Sequence, residues 1–258
     1  MSSALDFDEA ASRLLEQTYT TDDVAAQRRR VLELLALRPG EQLLDVGVGP
    51  GLLALEAARA VGPTGRVCGI DVSPSMLAIA RRRAGEAGVE LAQGGATAIP
   101  YSDASFDVAV STQVLEYVAD VPAALAELHR VVRPGGRVLL LDTDWDSVVW
   151  RSDDDVRTER VLTVWDQHLV DPHLPRRLSG ELRAAGFDVP SVETLTMLNV
   201  GYEPRTFSGC LLEQIAAFVA GRSGLSTADA QAWAADVRGQ GENYFFSLDR
   251  FIFRATRG

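Results

Sequence analysis

Residues 43–51 read Leu-Leu-Asp-Val-Gly-Val-Gly-Pro-Gly: an apolar run meets an acidic residue, Asp45, and then glycines at alternate positions, Gly47, Gly49 and Gly51. Glycine lets the chain turn sharply and lets a ligand approach the backbone without a Cβ in the way. The helix expected next aims its N-terminal amides into the same crevice, which suits a carboxylate. A second apolar run, Val67 to Ile70, ends at Asp71, where an acidic residue can hold two ribose hydroxyls. Each such charged hydrogen bond would contribute roughly 1.5–3 kcal/mol before desolvation losses. Counted from Gly47, Leu52 falls where the third glycine of a dinucleotide fingerprint belongs, and the register from Gly49 is expected to fail as well.

These residues need a frame. Gln42–Val46 reads as a strand, Leu52–Ala60 as a helix broken by Gly62-Pro63-Thr64-Gly65, and Val67–Ile70 as the next strand. Ser73 then serves as N-cap, with Pro74 at the first helical position. The alternation continues through strands at Val89–Gln93, Phe106–Ser111 and Arg137–Asp142, with a helix over Pro122–Val132. Near-continuous apolar strands in a β-α-β rhythm imply a parallel sheet covered on both faces. Upstream, one helix is expected up to about Gln17, and a second begins at Thr21 or Asp22 and stops at Arg38-Pro39-Gly40. Downstream, the pattern predicts helices over Val156–His168, Arg177–Ala185, Phe207–Val219 and Thr227–Arg238, with strands over Val189–Leu198 and Tyr244–Ala255.

The Asp-x-Gly-x-Gly-x-Gly run resembles the cofactor loop of class I S-adenosylmethionine-dependent methyltransferases. The resemblance extends through Ala98-Ile-Pro-Tyr-Ser-Asp-Ala-Ser-Phe-Asp107, Gln113-Val-Leu-Glu-Tyr-Val118 and Arg133-Pro-Gly-Gly136, spanning about residues 41–142. The subgroup it is most similar to contains the ubiquinone and menaquinone C-methyltransferases and their small-molecule relatives. It implies an α/β, Rossmann-like three-layer sandwich whose seven-stranded sheet is mostly parallel with an antiparallel last strand. It also implies a single domain: a helical lid over 1–40, a cofactor core over 41–142, and a substrate-side half over 143–258 with a helical insertion at about 203–240. The implied cofactor is S-adenosylmethionine (SAM), leaving as S-adenosylhomocysteine (SAH), and the implied cofactor-binding residues are Asp45, Gly47, Val48, Gly49, Gly51, Asp71, Val72, Met76, Gly95, Ala96, Thr97 and Gln113. From spacing alone Met76 fits a core position as well as an adenine contact, and Asp45 fits a loop cap as well as a neighbour of the methionyl amino group. Where the family often has Gly-Asp-Ala, this chain has Gly94-Gly95-Ala96, so the acidic partner of the adenine amino group is missing and backbone groups, Thr97 or Gln93 are left to receive it.

Methyl transfer from a sulfonium requires alignment and exclusion of water, and a base only for some acceptors. The acceptor is expected beyond the ends of the fourth and fifth strands. Glu116, Tyr117, Trp145 and Tyr202 are candidate substrate contacts, and His168, His173 and Asp142 are candidates for base or positioning roles. Trp145 reads equally as a core residue. A SAM-binding protein that does not transfer methyl groups, or a nicotinamide-dependent oxidoreductase, remains as an alternative; the second would lack any Tyr-x-x-x-Lys pair, because the chain has no lysine.

Composition narrows the partners. Its 258 residues are 47% hydrophobic, enough for one sizeable core, and 25 arginines against 36 acidic residues give a net charge of −11. So acidic a chain repels a phosphate backbone, and Arg28–Arg30 and Arg81–Arg83 read as solvated helix faces, so no nucleic-acid partner is expected. No run is long and apolar enough to cross a bilayer and no basic leader precedes an apolar stretch, which sets the expectation of a cytoplasmic protein. Cys68 and Cys210 make no disulfide framework, and His168-Leu-Val-Asp-Pro-His173 has no recognised metal-ligand spacing, so no metal is expected.

Overall fold

A computed structural model describes residues 16–258 except Glu86, so most of the first expected helix lies outside the described residues. Residues 16–19 are helical, and α1 (Asp22–Leu35) follows from Thr21. The alternating region then runs β1 (Gln42–Val46), α2 (Leu52–Val61), β2 (Arg66–Asp71), α3 (Pro74–Ala84), β3 (Val89–Gln93), β4 (Phe106–Thr112), α4 (Val121–Val131) and β5 (Val132–Thr143). Beyond it come β6 (Val149–Trp150), α5 (Asp155–Trp165), α6 (Pro175–Ala184), β7 (Phe187–Val200), α7 (Phe207–Val219), α8 (Thr227–Gly239) and β8 (Phe245–Arg257).

Local chemistry explains several of these boundaries. Ser73 Oγ accepts from the Met76 amide and Pro74 fixes the first turn of α3, as the sequence predicts. Asp120 caps α4 through the Ala123 amide at 2.9 Å, and Ser226 with Asp229 forms a capping box on α8.

One mixed sheet carries the order β3-β2-β1-β4-β5-β8 with β7 on the far side of β8. Strands β1 to β5 are parallel, and β8 runs antiparallel to both β5 and β7. The sheet has eight strands where seven are expected, and the extra one is β6. The chain leaves β5 at Thr143, turns through a 3₁₀ segment at Trp145–Ser147, and pairs Val149 and Trp150 with Ser247 and Phe246 on the same edge of β8.

The central parallel strands β1, β2 and β4 are buried on both faces, while the edge strand β3 is only partly covered. Leu44 and Val46 point into a cluster with Leu125 and Leu128 of α4 and Leu178 and Leu182 of α6. Leu43 points to the opposite layer, with Val31 of α1, Leu53 and Ala57 of α2 and Leu77 of α3. Fully burying one such leucine is worth about 1.5–3 kcal/mol. A third cluster, built on Trp145, Trp150, Trp165, Phe207, Ile215 and Trp233, holds α5, α7 and α8 against the antiparallel end of the sheet. This third cluster borders the site described next.

Candidate active site

The strand order reverses between β1 and β4, so the loops leaving these strands diverge and open a crevice at their carboxyl ends. A cavity of about 560 Å³ lies there. The glycine loop forms one wall. Gly49 has φ +51°, its amide donates to Asp71 Oδ2 at 2.9 Å, and a Cβ there would meet nothing within 4 Å. Its open face is therefore available to a ligand. Counted from Gly49, Gly51 and Ala54 do fit the dinucleotide spacing, contrary to the expectation from sequence. In the fold, however, Gly51 opens α2 as its N-cap, and a Cβ there would lie 3.0 Å from Ala80 Cβ, so its missing side chain serves the packing of α2 on α3.

Asp71 stands at the end of β2 with one oxygen on the Gly49 amide and the other on the Ser73 amide at 2.8 Å. Burial raises its carboxyl above the ordinary carboxylate range, and the backbone bonds from Ser73 and Gly49 oppose that shift. Val72, Met76, Gly95 and Ala96 line the cavity beside it. Thr97 is exposed and does not line it, and the Gln93 amide is spent on the Val72 carbonyl at 3.2 Å. The wall left for a base is the apolar surface of Met76 with the backbone at Gly95 and Ala96.

Gln113, the first residue after β4, holds a left-handed conformation with φ +58°. A side chain persists there only when its surroundings fix it. Its amide donates to the Leu141 carbonyl at 2.7 Å and its Oε1 accepts from Thr143 Oγ1 at 2.9 Å. That leaves Nε2, buried and without a partner, at the cavity wall. Asp142 lies beneath it, fully buried. Its Oδ1 accepts from the Val114 and Glu116 amides at 3.2 and 3.4 Å, so it positions the turn after β4 and does not itself line the cavity. Burial, then repulsion from Glu116, raises its carboxyl well above the usual range.

A smaller chamber of about 90 Å³ opens beside the main cavity, walled by Asp45, Gly47, Val48, Gln113 and Arg250. Burial, then the nearby Asp71, pushes the Asp45 carboxyl up to about 7.

The far end of the main cavity is aromatic. Trp145, Trp165 and His168 line it, with the His168 ring stacked on Trp165 at 3.7 Å and edge-on to Trp145 at 5.5 Å. His168 Nδ1 meets the Trp165 carbonyl. A carbonyl only accepts, so Nδ1 carries the proton, and Nε2 is the lone-pair atom. Burial lowers this imidazole to about 4, so it is neutral at pH 7. Glu116 is 1% exposed, accepts from Trp145 Nε1 at 3.2 Å, and is pushed up to about 7 by burial. Tyr117 also borders the cavity and remains partly open to solvent.

Two candidates lie elsewhere. His173 sits outside the cavity, its Nδ1 3.3 Å from Asp144 Oδ1. With Asp144 and Asp146 it makes a cluster of metal-ligand type, but the Arg176 guanidinium already occupies both carboxylates at 2.5–3.0 Å. Tyr202 packs edge-on to Tyr244 at 5.5 Å, away from the cavity. Sequence reasoning missed Tyr19, Gln214 and above all Arg250, all of which line the cavity. A signal for Arg250 was present: Phe246, Leu248, Arg250 and Ile252 share the buried face of β8, and a cation in that row is out of pattern.

The sheet order, the glycine loop after β1 and the acidic end of β2 define a class I methyltransferase fold. Residues 44–140 match the family model described as Methyltransferase domain. It is 40% identical over 117 residues to the demethylmenaquinone methyltransferase of Staphylococcus aureus, covering 45% of this chain and 48% of that one. It is 40% identical over 185 residues to an uncharacterised protein of a Streptomyces fradiae transposon, covering 70% and 53%. The chain thus spans about half the length of the curated relatives it matches. Among solved structures, phosphoethanolamine N-methyltransferase 2 of Haemonchus contortus in complex with S-adenosyl-L-methionine superposes with a TM-score of 0.65 at 19% identity, covering 100% of this chain and 60% of that one. The 4+2 cyclase SpnF superposes with a TM-score of 0.57 at 26% identity, covering 100% and 85%. Among the described residues no helix is long and apolar enough to cross a membrane.

Proposed function

We propose that this chain is a SAM-dependent methyltransferase acting on a small acceptor with an aromatic or lipophilic body. One observation carries the reading: a single cavity joins the carboxylate of Asp71, the open face of Gly49 and the aromatic end at Trp145, Trp165 and His168. A nucleoside amino acid fits the first part, and an apolar acceptor fits the second. The groups present suit that cofactor: Asp71 to accept from sugar hydroxyls, the apolar side of Met76 for a base, the buried free Nε2 of Gln113 and the Asp45 carboxyl for an amino-acid end. The methyltransferase-domain match over 44–140 supports the same reading.

SAM supplies an electrophilic methyl group on a sulfonium sulfur. The chain supplies geometry. Gln113 and the glycine loop border the midpoint of the cavity, and the aromatic wall excludes water and orients an acceptor there, which is the larger part of the catalysis such a reaction needs. Glu116, raised to about 7, takes the proton of an O–H or N–H acceptor, and neutral His168 offers Nε2 as a hydrogen-bond acceptor. Among demethylated quinols, phenols and other apolar ring acceptors, SAH release should appear with at least one, and Glu116→Gln should cut it by about 10²-fold or more.

A second reading has a specific observation behind it, the 26% identity to the SpnF cyclase over the whole chain. On that reading the cofactor binds but no methyl group leaves. Tight SAH binding without SAH release across the acceptor panel would favour it and overturn the transferase reading.

A further inference from the structure

Arg250 projects from the middle of β8 into the wall shared by the main cavity and the smaller chamber. It is 5% exposed, and its guanidinium carbon lies 4.5 Å over the Phe207 ring. Nη1 donates to Gln27 Oε1, while Nε is buried with no partner. No carboxylate oxygen of the described residues lies within 4.0 Å of it. A buried cation left without an anion is costly, and Glu116 and Asp23 act on this one only at longer range. The guanidinium remains charged at neutral pH, since burial lowers it only to about 10.

The position of this charge selects what it meets. The sugar end of the cavity is fixed by Asp71, and the path past Gly47 and Gly49 leads to the chamber walled by Asp45, Gln113 and Arg250. An amino-acid terminus brings one ammonium and one carboxylate to such a chamber. Asp45 is the anionic wall for the first. For the second, the Arg250 guanidinium, bonded only to the neutral Gln27 amide, and the partnerless Gln113 Nε2 are the donors left. Arg28 borders the same chamber but is already committed to Glu56 Oε1 at 2.7 Å and the Tyr19 carbonyl at 3.1 Å.

We propose that Arg250 is a cofactor-binding residue that holds the methionyl carboxylate of SAM or SAH, with Gln113 Nε2 as the second donor. The assignment rests on the cofactor reading above and adds to it a residue far outside the matched 44–140 stretch. It also assigns Gln27 a role, that of aiming the guanidinium from α1.

Calorimetry on the full chain tests this with two ligands, SAH and its decarboxylated analogue, which keeps the ammonium and lacks only the carboxylate. The wild type should bind SAH roughly 10- to 100-fold more tightly than the analogue. Arg250→Gln should lose that preference by weakening SAH, while the analogue binds within about twofold of its wild-type value. Should Arg250→Gln not fold, Arg250→Lys carries the same comparison, and it should retain only part of the preference. An undiminished preference in the variant overturns the proposal, as does equal weakening of both ligands. So does unchanged SAH affinity with a raised acceptor KM, which would give Arg250 to the acceptor. A wild-type chain that binds neither ligand removes the cofactor reading and the Arg250 assignment together. Tight binding of both with no effect of Arg250→Gln removes the second alone.

Discussion

Trp145 Nε1 donates to Glu116 Oε2 at 3.2 Å at the aromatic end of the cavity, joining the turn after β5 to the turn after β4. The bond stabilises the ionised carboxylate and opposes the rise that burial imposes on Glu116. Trp145→Phe keeps the aromatic bulk and deletes the donor. The Glu116 carboxyl should then rise above about 7, so the ionised fraction at pH 7 falls. We expect acceptor turnover at pH 7 to drop roughly tenfold and to recover in part at pH 9, with SAH affinity within about twofold of the wild type. A drop that is independent of pH would place Trp145 in packing alone.

The two histidines separate cleanly. His173 is half open to solvent and paired with Asp144, and such pairs contribute about 0–1 kcal/mol. His173→Gln should therefore leave turnover and SAH affinity within about twofold. His168 is stacked on Trp165 and lowered to about 4, so it does not titrate between pH 5 and 9. His168→Gln should lower stability by about 1 kcal/mol and raise the acceptor KM, but leave the turnover limb near pH 7 in place. Glu116→Gln should abolish that limb. If the limb disappears with His168→Gln and survives Glu116→Gln, the proton acceptor has been misassigned.

The reasons these residues were legible or not are physical. Gly49, Asp71 and Gln113 could be located from sequence because a strand, a turn and a cap fix each of them within a few residues of its own motif. The helices α7 and α8 and the long strands β7 and β8 were equally readable from their periodicity, to within about three residues at each end. Arg250 was not, because its role depends on the pairing of β8 with β5 and on α1 and α7 bringing Gln27 and Phe207 to it, which are contacts more than 40 residues away in the chain. His173 and Tyr202 had suitable chemistry and unsuitable placement: Asp144 captures one and Tyr244 the other. The strand β6 was missed because two residues carry no period, and only the free edge of β8 defines them.

Gly95 offers a gain-of-function test. Related methyltransferases often carry an acidic residue at this place in the loop. Here a Cβ would meet only Val72 Cγ1, at 3.6 Å, an ordinary contact, and the backbone is not in a left-handed conformation. Gly95→Asp is therefore accommodated and adds a charged acceptor where an adenine amino group would lie. SAH and SAM should bind roughly 3- to 30-fold more tightly by calorimetry, while inosine-type analogues lacking that amino group gain nothing. Equal gain for both would mean that the side chain acts on the loop and not on the base.

Asp45 gives the chain a pH dependence that its ligand should reverse. Its carboxyl titrates near 3.8 in an unfolded chain and at about 7 in the fold, so between those values the folded state holds the extra proton. Stability must then fall as pH rises through the window from about 4 to about 7. Glu116, with an ordinary value of 4.5 and a folded value of about 7, acts in the same sense. His168 acts oppositely, because a histidine lowered from 6.5 to about 4 gains stability as pH rises between those values. The difference between Asp45→Asn and the wild type cancels the other groups. Relative to the wild type, the variant should gain on the order of 3 kcal/mol between pH 4.5 and pH 7.5 in urea titrations. A ligand ammonium beside Asp45 favours the ionised carboxylate, so SAH binding near pH 6.5 should expel a fraction of a proton, read from calorimetry in buffers of different ionisation enthalpy. Methylthioadenosine, which lacks the amino-acid terminus, should release less, and Asp45→Asn should abolish the release with SAH. Parallel stability curves for variant and wild type would show that Asp45 is already ionised in the empty protein, and the chamber would then present a fixed negative charge to its ligand.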